Sequence, residues 1–295
     1  MDFIVELIAS SLRMTVPILL TGIGAVYTER AGVVNIGLEG MMIVGSFWGA
    51  LGSFYFGPYV GFLMGMSAGM ALALIHAVAS VTFRVNQIVS GVALNILAFG
   101  SSRFLSQVFF KMATTSPHVK GLRPVKIPVL GDTSPIIVLA FILVPFTAFI
   151  LEKTVFGLRL KSVGENPLAA DTLGVNVFKF KYAGVLLSGL LAGLAGTYLS
   201  LEHTGMYVEG MTQGKGFIAL AAMIFGNWTP YGTMWASLLF GFAESLSFRV
   251  VESNVIPYQF IKMIPYLLTL AVLAGVVRKS TPPAADGIPY EREMH

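Results

Sequence analysis

The chain has 295 residues, contains no cysteine and carries few charged side chains. Without cysteine there are no disulfides, no thiolate metal ligands and no thiol redox chemistry. Only 12% of the residues are charged, whereas soluble domains average about 25%. The four histidines are scattered without His-x-x-x-His spacing. The sequence therefore excludes thiol chemistry, argues against a large water-soluble domain and offers no catalytic constellation.

Long apolar stretches dominate what is present. The chain is 55% hydrophobic, with a mean hydropathy of +0.78 and 32 glycines. About 20 apolar residues span a bilayer as a helix, and glycine lets such helices approach closely. We therefore predict an all-α polytopic membrane protein with about nine, eight to ten, transmembrane helices. The candidate spans are 3–27, 33–56, 58–83, 86–110, 135–152, 181–200, 216–229, 231–250 and 258–277.

Two of these spans are weak. The first contains Glu6, Arg13 and Pro17, and the seventh is short, so either one can be broken or re-entrant. The seventh also begins a gapless alignment: "GFIALAAMIFG" at 216–226 matches "NIGLEGMMIVG" at 35–45. In the predicted topology the two copies cross the membrane in opposite directions, which favours two inverted half-repeats, a transporter signature. Chance similarity between two helices rich in small residues is the alternative.

Basic residues indicate the sidedness. Five Lys and Arg residues lie in loop 153–181, and more lie after residue 277; both regions fall on one side of the predicted topology. Cytoplasmic loops are enriched in Lys and Arg, although loop 111–134 on the other side also carries four. We expect one transmembrane domain over residues 1–278. The Pro- and charge-rich residues 279–295 are expected to form a disordered cytoplasmic tail.

One polar stretch, "GENPLAADTLGV" at 164–175, has strong helix-end signals. Asn166 is a good N-cap, Pro167 suits the first helical position, and Gly174 is placed to end the helix. The helix between them is only about 10 Å long and too short to be stable alone. It therefore needs a docking surface. That surface is another protein or, alternatively, lipid headgroups contacted by the surrounding basic residues.

This stretch resembles the coupling loop of ABC importer permeases of the ribose and nucleoside kind, in which Gly-Glu-Asn-Pro-x-Ala-Ala-x-x-x-Gly-[VI]-[ND] docks into the ATPase subunit. "TERAGVVNIGLEGMMIVGSFWGA" (28–50) resembles the first-half signature of the nucleoside branch. "GKGFIALAAMIFGNWTPYGTMWASLLFGFAESL" (214–246) resembles the second-half signature. The resemblance covers nearly all of residues 10–278.

The resemblance implies a permease subunit of an ATP-driven importer in a bacterial cell membrane. Its partners would be an ABC ATPase, a second permease subunit (identical or related), membrane lipid and a solute-binding lipoprotein that delivers nucleosides, with no nucleic acid. ATP and Mg would bind the ATPase, so this chain would be no enzyme and would bind no cofactor or metal. The coupling residues implied are Gly164, Glu165, Asn166, Pro167, Leu168, Ala169, Ala170, Leu173 and Gly174.

"GMTQGKG" (210–216) resembles a phosphate-binding loop only superficially. Three residues instead of four separate Gly210 from Gly214, and Gly216 stands where Ser or Thr would be required. We expect a tight turn that leads into the seventh span.

Polar residues inside spans are functional candidates, because they are costly there. Asn35 and Glu39 are four residues apart, a spacing that places them on one helical face; Glu39 could instead be a structural partner for Arg30 or for another helix. Phe217 could stack on a base or anchor the chain at the membrane interface. The predicted solute-pathway residues are Asn35, Glu39, Ser90, Asn95, Gln213, Phe217, Asn227 and Glu244.

Other readings remain open. Glu244 could pair with Arg249 or Arg103 instead of facing a cavity, and His76 could simply hydrogen-bond a neighbouring helix. A permease of the same family for ribose or other simple sugars is one alternative function. An ion-coupled secondary transporter that uses Glu39, Glu244 or His76 as ion carriers is another.

Overall fold

The computed structural model describes residues 2–127, 131–252, 263, 267 and 280–291. Within these ranges it contains ten α-helices, two π-helical turns and one short antiparallel β-hairpin. This confirms the predicted all-α class. The helices are α1 Asp2–Arg30, α2 Leu38–Phe56, α3 Pro58–Ala77, α4 Gln87–Phe110, α5 Pro135–Lys153, α6 Val155–Glu165, α7 Pro167–Thr172, α8 Val177–Tyr198, α9 Lys215–Phe225 and α10 Pro230–Glu252. The π turns are Val78–Thr82 and Leu199–His203, and the strands are β1 Val125–Ile127 and β2 Gly131–Thr133.

Five helical segments among the described residues are long and apolar enough to cross a membrane: Ile4–Arg30, Pro58–Thr82, Gln87–Phe110, Pro135–Lys153 and Val177–His203. They coincide with the first, third, fourth, fifth and sixth predicted spans. Helices α2, α9 and α10 coincide with the second, seventh and eighth. Apart from residues 263 and 267, the ninth candidate, 258–277, lies outside the described residues. The number of spans and the inverted repeat therefore stay predictions.

The core forms where α2, α3 and α8 pack backbone against backbone. A Cβ atom on Gly45 of α2 would lie 2.5 Å from the carbonyl oxygen of Gly193 in α8. Gly69 of α3 would likewise collide with Gly189 of α8. Only residues without a side chain permit this approach, which is the usual mode of close helix contact in membranes. Glycines of α2, α3 and α8 thus allow the close packing at the centre of the bundle.

Helix α9 is only half as long as a membrane span. Its 11 residues give a length of about 16 Å, against roughly 30 Å for the hydrocarbon core. The chain enters α9 through a tight turn in which Gly210, Gln213 and Gly214 have positive φ, so the predicted turn is present. Helix α9 ends beside Arg30 of α1, whose guanidinium donates to the carbonyl oxygen of Trp228 at 2.9 Å.

Residues 280–291 pack against the end of the bundle that carries α7, called the coupling end below. The amide of Ala285 donates to the carbonyl oxygen of Gly164 at 2.9 Å. The ring of Tyr290 is buried and meets the ring of Phe178 with centroids 5.5 Å apart. These contacts hold the tail segment on α6 and α8.

The expectation of a disordered tail therefore does not describe residues 280–291. Their composition is polar and rich in proline, but small and aromatic side chains among them find complementary partners that are distant in sequence. The remaining residues of that prediction, 279 and 292–295, lie outside the described part of the chain.

Candidate functional site

A cavity of about 440 Å³ lies between the beginning of α2, the middle of α4 and the turn that precedes α9. Four predicted pathway residues line it: Glu39, Asn95, Gln213 and Phe217. Its size falls within the range of small-molecule sites, and its mixture of apolar walls with a few polar groups is typical of them. The remaining lining residues are Ile43, Ile96, Phe99, Gly210 and Thr212.

Glu39 caps the N-terminus of α9 from the opposite wall. Its Oε1 accepts from the Thr212 hydroxyl at 2.5 Å and from the Gly214 amide at 2.9 Å. Its Oε2 accepts from the Gly216 amide at 2.7 Å. The amides of Gly214 and Gly216 are backbone donors of the kind that a helix leaves unsatisfied at its start, and the helix dipole favours a carboxylate there. Glu39 therefore fixes the turn that forms the cavity wall.

Of the two structural partners considered for Glu39, the structure shows another helix, α9, and not Arg30. The Arg30 guanidinium donates to the carbonyl oxygens of Trp228 and Asn227, and it lies 3.9 Å from the Glu165 carboxylate. It therefore serves the coupling end, one helix length away from the cavity turn.

Asn95 joins α4 to the beginning of α2. Its Oδ1 accepts from the Gly40 amide at 2.7 Å, and its Nδ2 donates to the carbonyl oxygen of Ile36 at 3.0 Å. A side-chain amide has two donor hydrogens and two acceptor lone pairs, so Asn95 retains capacity for a solute beyond these two bonds.

Two aromatic rings face the cavity from different helices. Phe217 projects from the first turn of α9 and is 48% exposed, and Phe99 projects from α4. Ile96, one helical turn before Phe99, is 70% exposed. The cavity is thus only partly enclosed by this chain.

The second predicted site, helix α7, forms with the predicted caps. Asn166 Oδ1 accepts from the Ala169 amide at 3.0 Å, Pro167 begins the helix, and Gly174 has a φ of 79°. Leu168 is 47% and Leu173 84% exposed. The capped helix and the residue that follows it thus expose two leucines.

The predicted coupling residues divide by burial. Gly164 and Ala170 are buried, and Pro167 is half-buried. The others are exposed: Glu165, Asn166, Leu168, Ala169, Leu173 and Gly174. A Cβ atom at Gly164 would collide with the carbonyl oxygen of Arg30, so this glycine sets the contact between α6 and the end of α1.

Comparison with known proteins identifies the family of the chain. The sequence profile of the family described as "Branched-chain amino acid transport system / permease component" matches residues 7–273. The chain belongs to this family of transport permeases. The chain is 41% identical to the guanosine ABC transporter permease protein NupQ of Bacillus subtilis, with 96% of each chain covered. It is also 41% identical to the nucleoside ABC transporter permease protein NupC of Lactococcus lactis, with the same coverage.

A third relative, the putative glucose ABC transporter permease protein TsgC13 of Haloferax volcanii, is 35% identical over the full length of both chains. No solved structure matches the chain significantly. The resemblance to ABC importer permeases is thereby confirmed, and this permease is a multi-pass membrane protein. Permease subunits of this kind are not themselves enzymes.

Four of the eight predicted pathway residues do not line the cavity, and two of these, Asn35 and Ser90, bond to other side chains. Asn35 is buried and its Nδ2 donates to Ser188 Oγ of α8 at 2.8 Å. Ser90 Oγ lies 3.0 Å from Nδ1 of His76, so the expected hydrogen bond from His76 to a neighbouring helix is present. Because α2 begins only after Asn35, Asn35 and Glu39 do not share a helical face.

Glu244 also lies outside the cavity lining. It forms an ion pair with Lys215 at the first position of α9. Glu244 therefore pairs with a basic residue, as considered above, but this partner is neither Arg249 nor Arg103. Arg103 instead lies 3.3 Å from Glu209, and the side chain of Arg249 is outside the described residues. The Lys215–Glu244 pair ties α9 to α10.

Asn227 lies at the coupling end, after the last turn of α9. Its Oδ1 accepts from the Thr281 amide at 3.0 Å. Asn227 thus holds the tail segment and does not line the cavity.

Sequence reasoning missed Lys215, Thr212 and Phe99. Lys215 is 6% exposed and anchors α9. In the sequence analysis it appears only inside the stretch 210–216, which was considered and rejected as a phosphate-binding loop. A lysine directly before the seventh predicted span was the available signal, since buried charges in membranes almost always have partners. Phe99 has no polar signal and cannot be told from a lipid-facing aromatic residue by sequence.

A cluster of charged groups lies buried at the coupling end. Lys181 of α8 donates to the carbonyl oxygen of Gly32 at 2.8 Å, and Asp286 of the tail lies beside Lys181 and Glu29 of α1. Burial raises the pKa of Asp286 to about 6, against the opposing hydrogen bond from Glu29 and the charge of Lys181. The tail segment therefore adds a titrating carboxyl group to the junction of α1 and α8.

Proposed function

We propose that this permease is the membrane subunit of an ATP-driven importer that carries nucleosides across the cell membrane. The observation that carries the proposal is the presence, on one chain, of a partly enclosed aromatic and polar cavity and of a capped, exposed coupling helix. The substrate class rests on the 41% identity to permeases named for guanosine and nucleoside transport.

The cavity suits an uncharged heterocyclic solute. Aromatic rings such as Phe99 and Phe217 offer faces on which a base can stack, a contact worth about 1–3 kcal/mol per base in single-stranded nucleic-acid sites. Asn95 and Gln213 offer amide groups for sugar hydroxyls or base edges. The cavity lining of the described residues includes one carboxylate, Glu39, and no basic side chain. This lining favours a nucleoside over a nucleotide.

A second permease subunit completes the pathway in this proposal. Ile96 and Phe217 line the cavity and are 70% and 48% exposed, so this chain forms only part of the wall. A related or identical subunit packed against this side would enclose the solute. A solute-binding lipoprotein would deliver it at the end of the bundle opposite α7.

In this proposal an ABC ATPase subunit supplies the energy for transport, and it would bind ATP and Mg. It would dock on α7, where Leu168 and Leu173 are exposed, and closure of its nucleotide sites would move α7. In this proposal the coupling end and the tail segment face the cytoplasm. The ion-coupled alternative is less well supported, because Glu39 and Glu244 are both occupied by structural bonds.

The test is uptake of labelled guanosine into vesicles that contain the permease, its partner permease, the ATPase and the binding protein. We expect uptake to require ATP and to be lost in Leu173→Glu. Leu158→Glu is the matched control, because Leu158 is an exposed leucine of α6 outside the predicted coupling set. Uptake driven by an ion gradient without ATP, or equal in Leu173→Glu and wild type, would contradict the proposal.

Simple sugars are the second candidate substrates, because of the 35% identity to a putative glucose permease. Competition separates the two classes in the same vesicles. Inhibition of guanosine uptake by excess adenosine, but not by excess ribose or glucose, supports the nucleoside class. The reverse pattern supports the sugar class.

A further inference from the structure

A groove of about 410 Å³ separates α7 from the tail segment at the coupling end. Residues 165–168 form one wall, and Ala285 and residues 288–291 form the other. Ile288 on the tail wall is 55% exposed, close to the 47% of Leu168 on the helix wall. The groove thus presents apolar side chains from two segments that are more than a hundred residues apart in sequence.

The tail wall is fixed in place by polar contacts. The amide of Ala284 donates to Glu165 Oε2 at 3.2 Å, directly at the start of α7. Arg84 forms an ion pair with Glu291 at 2.8 Å, and Tyr290 is buried against the bundle. A partner that binds here meets a preformed surface and loses little affinity to ordering the tail.

The chemistry of the groove favours a protein over lipid. Glu165 and Glu291 both line the groove, and their side chains are 54% and 72% exposed. Carboxylates oppose anionic lipid headgroups, which attract basic segments. Apolar anchors with a polar, accessible rim are the usual anatomy of a protein interface. A partner with an apolar side chain flanked by basic residues would match both features.

We propose that residues 285–291 of the tail segment and α7 form one continuous docking surface for the ABC ATPase, with Ile288 as the tail's contact. The inference rests on the proposed function, which supplies the ATPase as the occupant. Its support in the structure is continuity: the exposed Leu168 of α7 and Ile288 of the tail line the same groove. The ATPase would therefore recognise two segments of the permease.

The test is the affinity of the purified ATPase for the full-length permease, assembled with its partner permease in lipid nanodiscs. We expect Ile288→Glu to weaken binding at least tenfold, as truncation of an interface anchor does. Thr281→Glu is the matched control, because it adds the same charge to an exposed position of the same segment outside the groove. Ile288→Ser serves as a second, uncharged variant and is expected to weaken binding in the same direction.

The pattern across variants separates the two proposals. Loss of affinity in both Leu173→Glu and Ile288→Glu, with Thr281→Glu unchanged, supports the joint surface. Loss in Leu173→Glu alone overturns the role of the tail and leaves the coupling helix as the docking site. Wild-type affinity in both would overturn the tail inference and the coupling role of α7 together. A lipid-covered groove gives wild-type affinity for Ile288→Glu and thus also overturns the inference.

Discussion

Replacement of Glu39 by Gln tests the cap that joins the cavity to α9. The carboxylate of Glu39 accepts three hydrogen bonds, from the Thr212 hydroxyl and from the amides of Gly214 and Gly216. Gln keeps the shape but removes the charge and converts one acceptor oxygen into an NH₂ donor. If the remaining oxygen serves Thr212 and Gly214, the NH₂ group faces the Gly216 amide, donor against donor.

The magnitude follows from these contacts. A hydrogen bond to a charged group contributes about 1.5–3 kcal/mol, and a buried donor left without a partner costs about 1–3 kcal/mol. Removal of a carboxylate from a helix N-terminus costs roughly a further 0.3–1 kcal/mol. Because the first two values describe the same lost hydrogen bond, it is counted once, and we expect Glu39→Gln to lower the free energy of unfolding by about 2–4 kcal/mol. For a chain of this size that is a fall in Tm on the order of 5–15 °C.

The assay is thermal unfolding in nanodiscs, followed by tryptophan fluorescence. Trp228 is a suitable reporter, because it is buried at the far end of α9 and donates to Glu29 at 2.6 Å. The matched control is Glu152→Gln at an exposed position of α5, where a surface substitution changes stability by about 0.5 kcal/mol or less. Equal Tm values for the two variants would refute the cap.

Three further predictions concern α9, the cavity and the tail. Lys215→Met and Glu244→Met should each lower stability by about 3–5 kcal/mol, because each leaves a buried charge unpaired; the double variant should be more stable than either, as measured by thermal unfolding. Phe217→Ala should raise the KM for nucleoside uptake roughly tenfold through lost stacking with little change in Tm, since the ring is 48% exposed; an unchanged KM would remove this ring from the pathway. Packing raises the pKa of Asp286 from 3.8 to about 6, so the packed tail binds more protons than the released tail between these values, and its stability falls as pH rises through that window. Hydrogen exchange at the Ala285 amide, corrected for intrinsic rates, should therefore show protection that declines from about pH 4 to pH 6, and this decline should vanish in Asp286→Asn.

The helices were predictable because a long apolar stretch can be recognised from consecutive residues alone. Eight predicted spans coincide with helices of the structure, and the caps of α7 formed as Asn166, Pro167 and Gly174 predict. In both cases the physics is local. The burial of a span depends on its own composition, and a cap depends on residues within one helical turn.

The partners of Glu39, Glu244 and the tail were not predictable, because they are distant in sequence. Glu39 meets Gly216 across 177 positions, and its most important partners are backbone amides, which carry no residue-type signal. The tail segment looks disordered by composition, since its proline and charge content hides the partners that Gly164 and Phe178 provide. Sequence pattern therefore located the polar residues but assigned several of them to the wrong contacts.

Helix α9 connects the contacts of Arg30 at the coupling end to the contacts of Glu39 at the cavity. At the coupling end Arg30 lies 3.9 Å from Glu165, the residue before α7's N-cap, and it donates to the carbonyl oxygen of Trp228 just after α9. At the other end of α9, Gly216 donates to Glu39 in the cavity wall. A helix of three turns transmits displacement along its axis far more readily than it bends, because its backbone bonds are internal. Movement of α7 by a partner would therefore reach the cavity through the cap on Glu39. In the proposed importer, a carboxylate that is this firmly bonded would connect wall and helix instead of carrying an ion, as expected of a permease that a partner subunit drives.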